Sequence, residues 1–302
     1  MGPHVGRRVA TEGRLMARHV EHTAFATSHP AVPALYVALT LALVMASMQP
    51  VLIGCALVGG LVYEGSLSGP RAVFSSLRWQ LPLVLLVSVV NPLFVAEGTT
   101  VAFCVGSRPV YWESLWYGAA MGGMFVASIV WFRVAAALLP MDRVTALLAN
   151  IAPIITLMIS MSMRLIPRFV RQGRVVAAVH DVALPDARGK MATRMRLTSA
   201  LMGWGLENSL ETADAMRARG WGAARRRTTY ARMRWTGRDA VVLAAVAAFG
   251  AIVALLAWRT TAAYAFYPTA TPLAWWWGYV PYAAWMLIPT ILHVREQRWV
   301  YG

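Results

Sequence analysis

The stretch Val32–Leu67, VPALYVALTLALVMASM-QP-VLIGCALVGGLVYEGSL, decides the fold class of this chain. Two apolar runs, 32–48 and 51–67, flank the dipeptide Gln49-Pro50. Proline has no backbone N–H, and the residue before it avoids the helical conformation. An α-helix needs roughly 20 apolar residues to cross the ~30 Å hydrocarbon core of a bilayer. The stretch therefore predicts two membrane helices joined by a tight turn.

Apolar spans of similar length recur along the chain. They lie near 81–97, 114–140, 239–258 and 273–292. The 302 residues are 58% hydrophobic and only 14% charged, whereas soluble domains carry about 25% charged residues. The mean hydropathy is +0.54. Alternating strand patterns typical of a membrane barrel are missing. We expect an all-α polytopic membrane protein with about six transmembrane helices.

The basic residues predict an orientation for these helices. The net charge is +15, and every basic residue except Lys190 is an arginine. Cytoplasmic loops collect Lys and Arg, so the membrane explains this charge better than nucleic acid does. Six crossings with cytoplasmic N- and C-termini place nearly all arginines on one side, leaving Arg108 and Arg259 outside. The inner group comprises Arg7, Arg8, Arg14, Arg18, Arg71, Arg78, Arg295, Arg298 and the basic block 164–238.

This orientation divides the chain into five parts. They are a basic cytoplasmic N-terminal segment (1–30), membrane helices one to four (31–140), a cytoplasmic helical region (141–238), membrane helices five and six (239–293) and a cytoplasmic tail (294–302). Thr145–Met163 is apolar enough to cross, but a crossing would carry the basic block outside. Asn150 and Pro153 also interrupt it. We expect this segment to form a helix against the inner face of the membrane.

Two features of the predicted outer side follow. The loop 98–112 carries strand-forming residues around Gly106-Ser107, which predicts a short hairpin. Tryptophans fall where an aromatic belt requires them. The outer set is Trp112, Trp116, Trp258 and Trp275–Trp277, and the inner set is Trp79, Trp235 and Trp299.

Motifs for bound cofactors are missing from the sequence. A phosphate-binding loop needs G-x-x-x-x-G-K-[ST], but Met191 follows Lys190 and Leu184 occupies the first glycine position. The two cysteines, Cys55 and Cys104, lie far apart. We expect no cofactor and no metal on this chain. The spans carry few ionisable residues besides Glu64 and Arg133, which argues against ion-coupled carriers and intramembrane enzymes.

A polar segment, Glu207–Gly220 (ENSLETADAMRARG), stands out within the basic block. As a helix it has an apolar stripe and an acidic stripe. Gly220 fits the residue that ends a helix in the left-handed conformation, so Arg219 would project from a defined helix end. The mostly apolar stripe is Leu206, Leu210, Ala213 and either Met216 or Arg217, and the acidic stripe is Glu207, Glu211 and Asp214. Arg217 can pair with Asp214 three residues earlier.

A second arginine cluster precedes it. Arg164, Arg168 and Arg171 share one face of a predicted helix that contains Pro167. Neutralising anionic lipid headgroups, at ~1 kcal/mol per arginine, is the alternative to protein docking for this cluster and for Arg217 and Arg219.

Gly118 and Gly122 form a small-xxx-small pair in the fourth span. Such pairs allow close helix contact. Packing within the chain is favoured over an oligomer interface.

These residues resemble a known family. Ser209–Gly220 is similar to the signature that ends a cytoplasmic helix in the transmembrane T component of energy-coupling factor (ECF-type ABC) transporters, the cobalt and vitamin transporter permease family. Arg164–Phe169 resembles the approach to that family's first coupling helix, and Asn91–Phe94 and Glu113–Gly118 resemble its membrane part. The resemblance covers most of 30–295.

The resemblance implies a non-catalytic subunit in a multi-pass prokaryotic plasma-membrane complex. Two cytoplasmic ABC ATPases, which hold the ATP and Mg, would dock on coupling helices in 141–238. A separate integral membrane S component would bind the vitamin or metal ion. The implied ATPase-docking residues are Met216, Arg217, Ala218, Arg219, Gly220, Arg188 and Gly189. The residues implied to support the coupling helices are Arg164, Pro167, Arg168, Arg171, Glu207, Glu211 and Asp214.

The first of the family's two Ala-Arg-Gly motifs has two candidate positions. By spacing it falls at Ala178–Asp181, where Arg and Gly are missing; by spelling it is Ala187-Arg188-Gly189.

Two other functions stay open. A self-sufficient permease or channel would need polar groups facing a cavity in the helix bundle. An intramembrane enzyme would need paired carboxylates or a metal cluster.

Overall fold

The computed structural model describes residues 28–95, 98–105, 108–183, 190–223 and 235–301. These residues form nine α-helices and one two-stranded hairpin. In chain order they are α1 (Ala31–Ala46), α2 (Pro50–Ser68), α3 (Pro70–Phe94), β1 (Val101–Val105), β2 (Arg108–Tyr111), α4 (Trp112–Leu138), α5 (Met141–Ile151), α6 (Pro153–Ala183), α7 (Lys190–Ala218), α8 (Gly237–Ala263) and α9 (Tyr279–Tyr301). The predicted N-terminal segment lies outside the described residues except for 28–30.

Prolines begin three of the helices. Pro50 is the first residue of α2, and Gln49 before it is extended at φ −98° and ψ 133°. Pro70 and Pro153 are likewise the first residues of α3 and α6. A proline costs nothing at the first helical position, because that N–H has no partner inside the helix. The predicted turn at Gln49-Pro50 is confirmed.

Two predicted spans have wrong starting points. α3 begins at Pro70, not near 81, so Arg71 and Arg78 lie within the helix. A hydropathy pattern detects only the apolar run and therefore misses the polar start of the helix. Long arginine side chains let a helix continue into polar surroundings. α9 begins at Tyr279, not near 273. It also continues to Tyr301, so residues 294–301 of the predicted tail are helical.

Five of the described helices are long and apolar enough to cross a membrane. They contain the windows Pro50–Leu67, Val73–Pro92, Trp112–Leu138, Pro153–Val179 and Gly237–Ala263. α1 is apolar but shorter. The set differs from the six predicted spans, because it includes α6 and lacks α1 and α9. Thr145–Met163 belongs to two helices that break at Ala152, before Pro153.

The predicted hairpin is confirmed. β1 and β2 pair antiparallel, with Val101 opposite Tyr111 and Val105 opposite Arg108. The Gly106-Ser107 turn itself lies outside the described residues. The carboxylate of Glu113, at the start of α4, accepts hydrogen bonds from the backbone N–H and the hydroxyl of Thr100. This contact holds the hairpin against the helix that follows it.

The chain divides into two compact units. Unit 1 comprises residues 1–144 and 234–302, and unit 2 comprises Thr145–Met233. The core of unit 1 is built around two fully buried tryptophans, Trp131 on α4 and Trp285 on α9. The indole N–H of Trp131 donates to the Ala56 carbonyl (2.9 Å), and that of Trp285 donates to the Thr40 hydroxyl (2.9 Å). These bonds join α2 to α4 and α1 to α9.

Helices α3 and α4 approach closely at two glycines. A Cβ built on Gly118 would lie 2.9 Å from the Cα of Ser88, and one on Gly122 would lie 3.0 Å from the Cα of Val84. Ser88 donates to the Leu115 carbonyl (3.0 Å), and Asn91 to the Ser114 carbonyl (2.8 Å). Both glycines therefore pack within the chain, as favoured from the sequence.

Unit 2 contains an antiparallel helix pair. Phe169 on α6 packs edge-on against Trp204 on α7, with ring centroids 5.2 Å apart. Four residues further along α6, Gly173 meets Leu201, which is earlier on α7. Moving forward along α6 from Phe169 to Gly173 thus corresponds to moving backward along α7 from Trp204 to Leu201. The two helices therefore run antiparallel.

Replacing Gly118 by Ala is expected to destabilise the protein. The added methyl group would overlap the backbone of α3, and overpacking of this kind costs about 1–3 kcal/mol. Gly54→Ala on α2 is the matched control, because nothing lies within 4 Å of its Cβ position. Thermal unfolding in mild detergent measures the stability of both variants. Equal melting temperatures would show that the α3–α4 contact is not tight.

Candidate functional site

The C-terminal end of α7 has a defined geometry, which we call the α7 terminus (Met216–Trp221). The N–H of Gly220 donates to the Arg217 carbonyl (2.9 Å), and the N–H of Trp221 donates to the Met216 carbonyl (2.9 Å). Gly220 has φ +79°. This pair of bonds, closed by a left-handed glycine, is the Schellman motif. The predicted role of Gly220 in ending the helix is confirmed.

The motif fixes the backbone that carries Arg219. The N–H of Arg219 still donates to the Ala215 carbonyl (3.1 Å), so this residue belongs to the last helical turn. Its side chain is exposed. Arg217 pairs with Asp214 at 4.0 Å, and both side chains are largely exposed. Such an exposed pair contributes only about 0.2–0.5 kcal/mol. Arg217 and Arg219 thus leave the helix end in a set direction with their charges accessible.

Two further surfaces lie on α7, which begins at Lys190, seventeen residues before the polar segment Glu207–Gly220. The acidic face consists of Glu207, Glu211 and Asp214, all exposed. The apolar face consists of Met202, Leu206 and Leu210, which are 64%, 70% and 68% exposed. The predicted apolar stripe is therefore open within unit 2. Ala213 is also exposed and Met216 is half-buried.

The basic face lies on α6. Arg164, Arg168, Arg171 and Arg174 are all exposed. Pro167 lies inside α6 without ending it. Among the described residues, these arginines form no ion pair with the acidic face of the neighbouring helix. Unit 2 therefore presents the basic face of α6 and the acidic face of α7 as two separate charged surfaces.

The predicted docking residues do not form one cluster. Phe169 of α6 is level with Trp204 of α7, so Arg168 lies roughly 20 Å from Arg219 along the helix axis at 1.5 Å per residue. The basic face and the α7 terminus are separate surfaces. Arg188 and Gly189 lie outside the described residues.

Unit 1 holds a polar site that the sequence analysis did not assemble. Glu64 on α2 and Arg133 on α4 form an ion pair with Nη2 2.6 Å from Oε1. Arg133 also bonds to the Ser76 hydroxyl on α3, which accepts from the Gln80 amide (3.0 Å). The Glu64 side chain is 6% exposed and that of Arg133 is 47% exposed. The site joins three helices.

A signal for this pair was present in the sequence. Glu64 and Arg133 are rare ionisable residues in apolar spans, and both lie towards helix ends predicted to be on the same side. Ionisable groups inside a membrane usually pair with one another. Within the described ranges, no three His, Cys, Asp or Glu side chains are arranged to hold a metal ion.

Comparison with known proteins identifies no relative. No protein-family model matches the chain, and no curated protein matches it. The fold defines the class: an all-α, multi-pass membrane protein whose second compact unit is an exposed, charged helix pair.

Gly220→Ala is expected to loosen the α7 terminus. An L-residue in the left-handed conformation costs roughly 1–2 kcal/mol. The control is Gly203→Ala, since nothing lies near that Cβ position and alanine favours a helix interior. Hydrogen exchange of the Gly220 and Trp221 amides should accelerate only in the first variant. Unchanged exchange would argue against the Schellman motif.

Removing Arg133 is expected to cost more stability than removing both charges. Arg133→Leu leaves the buried Glu64 carboxylate unpaired, and breaking a buried pair costs ~3–5 kcal/mol. Because the Arg133 side chain is half-exposed, we expect the loss of stability to lie at the low end of this range. The double variant Glu64→Gln/Arg133→Leu should recover part of the loss in thermal unfolding. Additive losses would show that the pair is not coupled.

Proposed function

We propose that this chain is the energy-coupling transmembrane subunit of an ECF-type ABC importer in a prokaryotic plasma membrane. Two cytoplasmic ATPase subunits dock on unit 2, and ATP and Mg bind to those partners. A separate membrane subunit binds the vitamin or metal ion. This chain transmits motion between them and catalyses no reaction itself. Its N- and C-termini are cytoplasmic in this proposal.

The α7 terminus carries the proposal. Arg219 follows a helix whose end is fixed by two backbone hydrogen bonds and a left-handed glycine. A guanidinium binds carboxylates and carbonyls through a planar fork, so its direction matters. A pre-oriented arginine needs little ordering when a partner binds. The similarity of Ser209–Gly220 to the T-component signature supports the same assignment.

The charges of α7 favour a protein over lipid headgroups. Glu207, Glu211 and Asp214 lie on the same helix as Arg217 and Arg219 and are exposed. Anionic headgroups would repel this acidic face. A protein partner can complement both signs, and it can also cover Met202, Leu206 and Leu210, which are exposed in the single chain. Protein surfaces rarely leave large apolar patches uncovered.

The proposed mechanism is mechanical. α6 and α7 pack against each other through Phe169 and Trp204, so a force applied at the α7 terminus displaces the pair together. The ATPases approach and separate as they bind and hydrolyse ATP. Unit 2 then conveys that displacement to the membrane subunit that binds the substrate.

A self-sufficient permease is the second candidate. The Glu64–Arg133 pair favours it, because ionisable residues in membrane helices often mark a transport pathway. The pair is charge-neutral and is linked to Ser76 and Gln80, which equally suits a structural cross-link between α2, α3 and α4. An intramembrane enzyme ranks third.

The test is co-purification from the native host. The tagged chain is extracted in gentle detergent, and the companions are identified by mass spectrometry and assayed for ATP hydrolysis. Arg219→Ala should weaken ATPase retention by about 30-fold or more, since truncating one partner of a buried charged pair costs ~2–5 kcal/mol. Arg196→Ala, which removes an exposed arginine near the start of α7, is the matched control.

Two outcomes would overturn the proposal. One is that no nucleotide-hydrolysing protein accompanies the wild-type chain. The other is that Arg219→Ala and Arg196→Ala retain equal amounts of ATPase. Transport by the purified chain alone in liposomes without ATP would instead establish the permease.

A further inference from the structure

Helix α6 carries a long apolar surface that no described residue of the chain covers. The window Pro153–Val179 is apolar enough to cross a membrane, yet none of its residues is buried within the structure. A helix of a soluble protein turns its apolar side towards a core. Large apolar surfaces that stay open mark contacts with a membrane or with another protein, so the surroundings of α6 have to cover it.

Five of these apolar residues form a single line along α6, which we call the α6 stripe. They recur at intervals of three and four residues and therefore share one side of the helix. At 1.5 Å per residue the stripe is about 22 Å long. Four members are between 44% and 56% exposed, and Ile159 is half-buried. The members are Ile155, Ile159, Met163, Ile166 and Val170.

The stripe lies between the contact with α7 and the basic face. Phe169 and Gly173 meet α7. At 3.6 residues per turn, the α6 stripe follows this contact around the helix, and Arg174 and Arg171 come next. Both arginines are exposed. No aspartate or glutamate occurs in residues 153–180, so the exposed side of α6 combines apolar residues with charges of one sign.

An anionic membrane surface complements this combination. Interfacial helices bury an apolar face about 5–10 Å into the boundary between headgroups and acyl chains, with basic residues on the polar face. Long arginine side chains reach from such a helix to the lipid phosphates, and each contributes ~1 kcal/mol. The acidic residues of α7 are absent from this side of α6, so the repulsion that separates α7 from headgroups does not apply here.

The first turns of α6 suit contact with acyl chains. No charged residue precedes Arg164 in this helix. The Thr156 hydroxyl donates to the Ala152 carbonyl (3.0 Å), so its hydrogen bond is made within the helix. Ile154 and Met158, on the other side of these turns, are exposed and apolar as well. Lipid can therefore surround this end of α6.

The arginines disfavour a crossing of the membrane. Ile166 is the midpoint of the window Pro153–Val179, and Arg164 and Arg168 are each two residues from it. A crossing would place both near the bilayer centre, where an arginine costs about 2.5–3.5 kcal/mol. A helix that lies in the interface keeps both guanidinium groups at the headgroups.

We propose that α6 is an interfacial helix that binds the anionic headgroups of the membrane. The α6 stripe lies among the upper parts of the acyl chains, and Arg164, Arg171 and Arg174 bind lipid phosphates. This goes beyond the proposed function, because α6 contacts lipid while α7 stays available to a protein. Neither assignment requires the other.

The depth of the stripe is measured with one fluorescent probe on the full-length protein. Ile166→Cys, in a Cys55→Ala/Cys104→Ser background, is labelled and reconstituted in bilayers of equal parts phosphatidylglycerol and phosphatidylcholine. Bromines near the lipid carbonyls should quench the probe more than bromines near the terminal methyl groups. A water-soluble quencher should reach it far less than it reaches the same probe on Ser209→Cys, an exposed position of α7.

The arginines are tested in the same bilayers by brominating one of the two lipids at a time. Phosphatidylglycerol should quench the Ile166→Cys probe up to about five-fold more than phosphatidylcholine, as ~1 kcal/mol per arginine predicts. Arg164→Gln/Arg171→Gln/Arg174→Gln should abolish this preference. The matched control, Arg196→Gln/Arg217→Gln/Arg219→Gln, removes the same charge from exposed positions of α7 and should keep it. Thermal unfolding confirms that each variant is folded.

Three results would overturn the proposal. Equal access of the water-soluble quencher to the two probes would show that this face is open to water and suited to a protein partner. Strongest quenching by bromines near the terminal methyl groups would show that α6 crosses the membrane. An equal lipid preference in the two triple variants would show that the α6 arginines do not bind headgroups. ATPase retention by Arg219→Ala is a separate measurement, so this inference and the proposed function fail separately.

Discussion

The hydrogen-bonding needs of buried side chains hold unit 1 together. A membrane core offers no water to a buried donor, so a hydrogen-bond partner within the protein stabilises each buried indole or hydroxyl that finds one. The Trp285 indole bonds to Thr40, and the Tyr36 hydroxyl bonds back to the Trp285 carbonyl (3.0 Å). This reciprocal pair joins α1 to α9 across nearly the whole sequence. Apolar packing alone would not fix that register, because lipid chains compete equally for apolar surface.

Unit 2 differs from unit 1 because many of its described charged and apolar side chains have no partner within the unit. Its helices contact each other through few aromatic side chains and leave charged and apolar faces open. The proposed function requires this arrangement, since a surface that satisfied itself internally would have nothing to offer a partner.

Local chemistry predicted several elements well. The turn at Gln49-Pro50, the hairpin around Gly106-Ser107 and the helix end at Gly220 each depend on neighbouring residues only. Helix starting points were less predictable. α3 begins at Pro70 and α9 at Tyr279, because helices follow hydrogen bonding and capping, while a hydropathy pattern follows composition. α7 likewise begins at Lys190, well before the polar segment Glu207–Gly220 from which the helix was predicted. The residues proposed to dock a partner could be named from the sequence, but their exposure could not.

The sequence by itself determined the class of protein, the division between apolar and basic regions, and the residues that end α7. These are properties of composition and of spacings within one or two helical turns. Only the tertiary structure decided which distant groups meet. It placed Glu64 beside Arg133 and Ser76, brought Gly118 onto the backbone of Ser88, and left a groove between α1 and α8. Such contacts depend on how helices cross, and helix crossing is fixed by the packing of many side chains together.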